Sequence, residues 1–572
     1  MSSPAIRPAK AAQPRSKSSS SFLVALVLFL HFVMLVNLTV MVLSINLAKA
    51  ADVSSVNLYM PKVTLPLFTA ITCIYAVAFL SAVSTCSRRR SYGVAPVDSM
   101  TTSDNNFWSN DLVVAMLTIL QIGCQSYQTY EMFDQLTHLP ALLSYAGLVV
   151  LDCFVSPVTL LIRNREMKTT SENLADVVFC VALSGGHPTI SARIPIFIYV
   201  VMDPNMSNDN AWAAEAVLTA RRMLVPTSGL DLFAKLTMYG TPAVSLRRSL
   251  NSLRGIRRSD PSKNQIQSPR RRLLCLIVFG CTLWGMAFLF LVCRAVGFRD
   301  ACPAYCVTHA YPLVDLSCLC IYANINCVKQ GIDNPSALLH RDKVGPSLFF
   351  LQISRCPLKQ GLAKETLEPF TQLGQIMLLF TDMEAWDGPL PPDVNQVSIR
   401  FSQLRSIPRA LYQNVSEKLV VIELEGCRLD PMPPIFFEIW SNIAFLTLAN
   451  VTLTELPRGV SDMANVQVVI LRNNRLTEIP SSLVHRQVTV DLSGNSIAAS
   501  TVDMMDPIQS RQVLLSGTPY CDKIGDPSIC HQFCAEHCSV DWVGDHRCDW
   551  ACFNSDCGYD GGDCDEFGFD RI

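Results

Sequence analysis

Charge is what this chain has least of. Of its 572 residues only 16% are Asp, Glu, Lys or Arg, against 50% hydrophobic, and the mean hydropathy is +0.28. A soluble domain carries roughly 25% charged residues, so a wholly soluble protein is excluded and a membrane protein is expected. Catalytic signatures are missing too. There is no H-E-x-x-H, no G-x-S-x-G and no phosphate-binding glycine loop, so no enzyme is expected and no catalytic residue is assigned. The net charge is −2, with its basic runs confined to 1–17, 86–90 and 221–272, and no nucleic-acid partner is expected. Cysteine is sparse before residue 294, where 8 of the 23 lie, and dense after it. Such thiol density with an acidic tail favours an oxidising, extracytoplasmic setting for the later part.

Long apolar runs are present in the first half. About 20 apolar residues cross a bilayer. Phe22–Leu47, Val63–Val83, a weaker run from Leu112, Leu139–Ile162 and Leu273–Val296 therefore read as five spans. Phe22–Leu47 is too long for the apolar core of a cleaved signal, although Ala48-Lys49-Ala50 has the form of a cleavage site. Basic flanks set the orientation. Arg7, Lys10, Arg15 and Lys17 precede the first run, Arg88–Arg90 follow the second, Arg163, Arg165 and Lys168 follow the fourth, and Arg270–Arg272 precede the last. The third-to-fourth connection carries Glu131 and Asp134 and no basic residue. These agree with a cytosolic N-terminus and export of everything after Val296. Leu174–Leu183 and Ile194–Val201 are each too short to cross alone, and the basic 163–272 region is expected to be a cytosolic loop. His31 and Asp152 are ionisable residues inside spans; they mark either an ion path or hydrogen bonds between helices.

A period follows. "LQISRCPL", "IMLLFTDM", "VSIRFSQL", "IELEGCRL", "LTLANVTL", "VILRNNRL" and "VDLSGNSI" begin at 351, 376, 397, 422, 446, 469 and 490, and their first, third and eighth residues are all apolar. This resembles the leucine-rich repeat family, whose period is about 20–29 residues. The slot the family fills with Asn holds Cys356, Thr381, Ser402, Cys427, Val451, Asn474 and Asn495, with Cys356 and Cys427 expected as buried free thiols. A further coil is expected at Ile321. The implied fold is a solenoid whose concave face carries Arg400, Glu423, Glu425, Thr447, Arg472 and Asp491, a candidate platform for a protein ligand. Asn414 and Asn450 head glycosylation sequons. Between span and solenoid, Cys302, Cys306, Cys318, Cys320 and Cys327 are odd in number and their pairing is open.

The chain closes on Cys534, Cys538, Cys548, Cys552, Cys557 and Cys564 with "WVGDHRCD", "CFNSDC" and "GYDGGDC" around them. This resembles the Lin-12/Notch repeat (LNR). So small a module needs bridges and a metal in place of a core, and carboxylates in this number suit a hard cation better than zinc. The resemblance implies Cys534–Cys557, Cys538–Cys552 and Cys548–Cys564. It also implies a calcium ion held by Asp545, Asp560 and Asp563. Trp542 stands where the family has a further ligand, leaving its backbone carbonyl as substitute. Cys521 and Cys530 are left as a plausible extra pair.

The expected architecture is a multi-domain chain. A cytosolic tail (1–21) leads into four helices (22–162), a basic loop (163–272) and a last span (273–296). A Cys-rich stretch (297–345), an α/β leucine-rich-repeat solenoid (346–520) and an LNR module stabilised by disulfides and calcium (521–572) complete it. The expected function is recognition or adhesion at the plasma membrane through an extracellular protein ligand. A transporter or channel resting on His31 and Asp152, and a Notch-like proteolysis-gated receptor, are the alternatives.

Overall fold

The computed structural model describes residues 17–47, 58–91, 111–163, 165–255, 268–499 and 504–571. The basic tail before residue 17, the Ala48-Lys49-Ala50 site and residues 256–267 of the basic region lie outside them. The first half is helical: α1 (Lys17–Leu47), α2 (Pro61–Ser91), α3 (Asp111–Gln135), α4 (Leu139–Thr159), α5 (Arg165–Cys180), α6 (Ile194–Val201), α7 (Asn210–Leu224), α8 (Gly229–Gly255) and α9 (Ser268–Gly297).

Among the described residues five helical stretches are long and apolar enough to cross a membrane: Ala25–Asn46, Pro61–Ser84, Leu139–Thr159, Met167–Tyr199 and Arg271–Gly297. Four coincide with expected spans. The weak run at Leu112 is not among them: its helix, α3, buries Gln121, Gln125 and Gln128 on one face, and these depress its hydropathy. Met167–Tyr199 is the addition. The interval between the two short apolar runs, which holds Gly185, Gly186 and Pro188, is bridged by two π-helical turns, Val181–Gly186 and Thr189–Arg193, so α5 and α6 form one continuous rod. Wider turns of this kind absorb residues that would end an α-helix.

The 163–272 region is accordingly not a simple cytosolic loop. α8 packs along α2, α3 and α5. Asn208, between α6 and α7, donates to the Asp545 carbonyl at 3.0 Å, and Asn210 donates to Gln352 Oε1 at 3.1 Å. This part of the region therefore lies on the same side of the bundle as the solenoid and the LNR module. The α3–α4 connection is there too, since Phe133 O accepts from the Tyr311 amide at 2.9 Å. His31 is fully buried and hydrogen-bonded to the Tyr75 hydroxyl, a helix-to-helix bond.

The second half is a ten-stranded sheet in strict chain order, β1 (Cys306–His309), β2 (Cys320–Asn326), β3 (Phe350–Ser354), β4 (Gln375–Leu379), β5 (Gln396–Arg400), β6 (Val421–Glu425), β7 (Phe445–Ala449), β8 (Val468–Ile470), β9 (Thr489–Asp491) and β10 (Val513–Leu514). All neighbours pair in parallel except β1 with β2. Leu351, Ile376, Val397, Ile422, Leu446, Val469 and Val490 stand in one row across the sheet, continued by Val513. This is the register the period predicts. The first and third residues of all seven segments are buried, as are Leu358, Met383, Leu404, Leu429, Leu453, Leu476 and Ile497 in the eighth row. Asn474 shows what its slot does. Its Nδ2 donates to Leu448 O (2.8 Å) and Leu471 O (2.9 Å), and its Oδ1 accepts from the amides of Val451 (3.1 Å) and Leu453 (3.0 Å). Main-chain groups of adjacent coils that would otherwise be buried unpaired are thereby satisfied.

Three expectations need correction. The extra coil aligns at Ala323, opposite Leu351, two residues later than Ile321. The 297–345 stretch is no separate unit, because β1 and β2 begin the sheet. Cys356 is not a free thiol. The β2–β3 register sets Asn326 beside Ser354, so Cys327 and Cys356 leave their strands side by side and are bridged with Cα atoms 5.0 Å apart. Cys302–Cys318 and Cys306–Cys320 resolve the remainder of the odd set. Cys427 is buried and free, 3.1 Å from Ser402 Oγ.

Candidate functional site

The LNR module has little regular structure, only the antiparallel pair β11 (Phe533–Ala535) and β12 (Cys538–Ser539) and short 3₁₀ turns. Bridges replace the missing core: Cys534–Cys557, Cys538–Cys552 and Cys548–Cys564, with Cys521–Cys530 at the junction. The module is seated against the solenoid face that sequence reading offered to a ligand.

Strand alternation points Arg400, Glu423, Glu425, Thr447 and Arg472 away from the solenoid core, yet all five are buried. Arg547 reaches Glu423 Oε1 at 2.5 Å and also pairs with Glu425. Arg400 Nε binds Glu425 Oε2 at 2.8 Å and its Nη2 donates to Cys548 O at 2.5 Å. Arg472 Nη2 meets Asp549 Oδ1 at 2.7 Å and Glu425 Oε1 at 3.3 Å. Three guanidiniums thus face three carboxylates across one buried seam. Burial alone would raise Glu425, but Arg400, Arg547 and Arg472 outweigh it and hold its carboxyl well below the ordinary range. Glu423 is lowered against its own burial by Arg547 and Arg400. Asp491, at the far end of the row, is half-buried and caps its own turn through the Ser493 amide at 3.0 Å. Asn414 and Asn450 are exposed.

A second patch went unread in the sequence. The fifth residue of each repeat follows its strand in the left-handed region: Arg355 (φ 51°), Phe380 (52°), Phe401 (57°), Gly426 (66°), Asn450 (48°), Asn473 (57°) and Gly494 (69°). Gly and Asn accept that conformation readily, whereas bulky residues do not. The bulky ones face the module. Phe380 stacks on Phe401 with centroids 4.7 Å apart and meets Trp550, Phe567 and Phe569 at 5.3, 5.1 and 4.8 Å. Arg355 lies 4.4 Å over the Phe569 ring and donates to Gly568 O at 2.7 Å. Asn473 donates to His537 O at 2.9 Å. The legible signal was aromatic residues at a position where Gly or Asn costs least, matched by "EFGF" after the last cysteine.

Behind the seam the acidic groups gather. Asp560 is fully buried; its Oδ2 accepts from the Asp549 amide at 2.7 Å, and its Oδ1 has no partner. Burial, then the carboxylates of Asp549, Asp563 and Asp545, push Asp560 up to about 8. Burial and then Asp549 push Asp545 up to about 7, and burial raises Asp563. Asp563 Oδ2 accepts from the His546 amide at 3.0 Å, and Asp545 Oδ1 from the Arg547 amide at 3.0 Å. An orphaned buried oxygen among carboxylates that repel one another fits a hard, oxygen-preferring cation. The Trp542 ring lies 4.5 Å from the Arg472 guanidinium. Asp549, unassigned from sequence, belongs to both the seam and this cluster. From the bundle side, Asn208 Nδ2 lies 3.3 Å from Asp545 Oδ2.

Residues 527–565 match the family described as Notch LNR domain. No curated protein sequence matches the chain. Among solved structures, a leucine-rich repeat protein from Bacteroides thetaiotaomicron aligns at 15% identity and a TM-score of 0.20. The alignment covers 32% of this chain and 26% of that one.

Proposed function

We propose that this chain is a plasma-membrane receptor-like protein, its C-terminal half extracellular, whose protein-binding face is closed by its own calcium-braced LNR module. The observation that carries the reading is the seam of Arg400, Glu423, Glu425 and Arg472 buried beneath Arg547 and Asp549. A charged concave face of this kind suits a protein partner, and here its complement is supplied in cis. A partner then gains access by competing with the module. Calcium at Asp545, Asp560 and Asp563 holds the loop that carries Arg547 and Asp549, so loss of calcium loosens the cover. Thr447, buried on the same face, reports on it. In cells expressing full-length Thr447→Cys, a membrane-impermeant maleimide is expected to label little in calcium and strongly after chelation, above the background of the unsubstituted chain. Equal labelling in both conditions would sink the reading.

A further inference from the structure

α1, α2 and α8 pack on one another. The Tyr59 amide, just before α2, donates to Pro226 O, just before α8, at 2.9 Å, so both helices set out from one end of the bundle. Toward the other end Ala82 of α2 and Leu246 of α8 meet in a buried contact, with Leu28 of α1 packed against it. Past that contact α2 closes on Arg88, Arg89 and Arg90, α8 closes on Arg254, and α1 opens at Lys17. At 1.5 Å per residue these five positions lie about 9–17 Å beyond it along their helices. Residues 17–28, 83–91 and 247–255 contain no Asp or Glu. The packed helix α5 brings two carboxylates toward this end. Asp176 accepts from the Ser245 hydroxyl, and Glu172 stands 3.9 Å from Lys168. Arg247 and Arg248 adjoin Ser245 and are set aside for that reason.

The other basic run at this end is differently placed. Leu274 of α9 packs with Val114 of α3 and Leu160 after α4, so Arg270–Arg272 begin α9 beside the start of α3, where Asp111 pairs with Lys168 at 2.8 Å. That sector mixes both signs; the α1–α2–α8 sector carries one. Val77, Leu80 and Val83, on the approach to Arg88, are exposed as a lipid-facing surface is, so the five cations follow directly on membrane-crossing apolar surface, at headgroup depth. Basic clusters there attract anionic lipid. Four of the five are Arg, whose planar fork matches phosphate. A phosphomonoester carries about −1.5 to −2 at neutral pH, so a headgroup with two of them answers this concentration of charge better than a headgroup bearing a single charge.

We propose that the ends of α1, α2 and α8 form a seat for a multiply phosphorylated lipid headgroup of the cytosolic leaflet, held by Lys17, Arg88, Arg89, Arg90 and Arg254. The seat is independent of the LNR module and of the receptor reading. Its test places full-length protein in phosphatidylcholine–detergent micelles and raises the mole fraction of phosphatidylinositol bisphosphate while thermal unfolding is followed. The wild type is expected to show a saturable rise in midpoint. Arg89→Gln with Arg90→Gln is expected to weaken half-saturation by at least about tenfold. Should that pair fail to fold, Lys17→Gln with Arg254→Gln serves in its place, with a loss of at least about fivefold. Arg271→Gln with Arg272→Gln, in the mixed sector, removes as much charge and is expected to keep the response. The proposal is overturned by a flat wild-type titration, by unchanged half-saturation in the seat variants, or by an equal loss in the α9 pair. Equal stabilisation by phosphatidylserine at matched charge would overturn it as a specific site, and equal stabilisation by soluble inositol trisphosphate would overturn it as a lipid site.

Discussion

The helical bundle and the solenoid bury opposite things. The bundle turns its grease outward, with Leu276, Phe279 and Phe290 each more than 60% exposed, and keeps Gln121, Gln125, Gln128, Asp152 and Asp231 inside. The solenoid keeps Leu, Ile and Val inside and arrays its charges on one face, then covers that face with the LNR module. In the bundle a polar interior is tolerated where groups pair, as Asp231 does with Arg222 on α7 at 3.0 Å and with Lys235 on its own helix at 3.1 Å. In the solenoid the apolar interior supplies the stability, and the charges are left to specify what docks. Burial therefore marks structure in one half and docking in the other.

The sharpest way to break this comparison is at the seam. Arg547→Ala takes its guanidinium partner from buried Glu423 and leaves Glu425 with Arg400 and Arg472 alone, a loss of ~3–5 kcal/mol at the docked interface. Full-length protein is expected to become protease-sensitive after residue 520 while the solenoid stays intact. Limited proteolysis of wild type and variant decides it, and identical patterns would show that the seam holds nothing. Next in size, Leu424→Ala in the solenoid core is expected to cost ~2–5 kcal/mol, whereas Phe279→Ala on the outer face of α9 is expected to leave the unfolding midpoint unmoved. Equal losses would erase the distinction between the two halves.

Acidity separates the two parts of the module. Glu425 titrates lower in the fold than unfolded, so its contribution is present above the unfolded value of about 4.3 and fades as pH falls below it. Asp545 and Asp560, raised to about 7 and about 8, act with the other sign. Without a cation their contribution is full below about 3.9 and is lost as pH rises toward those values. In chelator, module stability is expected to fall between about pH 4 and 8, and with calcium to stay level there. A calcium-independent profile would remove these aspartates from the site. The smallest effect is expected from Asn208→Ala, which removes a hydrogen bond worth ~1 kcal/mol. A slightly faster amide exchange in residues 540–550 is its readout; no change would uncouple bundle from module.

The solenoid was legible because its rule is local. One apolar residue in each of three rows per coil dictates the register, and the row from Leu351 to Val490 was readable before any strand was placed. β10 at Val513 escaped because two residues carry no period. The LNR bridges were legible through resemblance alone. Cys327–Cys356 was not, because it joins a coil whose register differed by two residues from the one read at Ile321. The π-helical join of α5 to α6 was hidden by Gly185, Gly186 and Pro188, which signal a break in the sequence and are accommodated by wider turns in the fold.

Apolar spacing, basic flanks and cysteine spacing act over a few residues to a few tens, so the sequence by itself determined a membrane half, a repeating sheet and a bridged acidic tail. Where that tail goes is a matter of tertiary structure. Arg547 and Asp549 meet Arg400, Glu423, Glu425 and Arg472 across 77 to 149 residues of chain, and Phe380 meets Phe567 and Phe569 at greater separations still. Complementary charge and aromatic surface carry no periodicity, and the same residues would read identically on an open face. Only the folded chain, by placing one surface on the other, turned a charged concave face into a covered one.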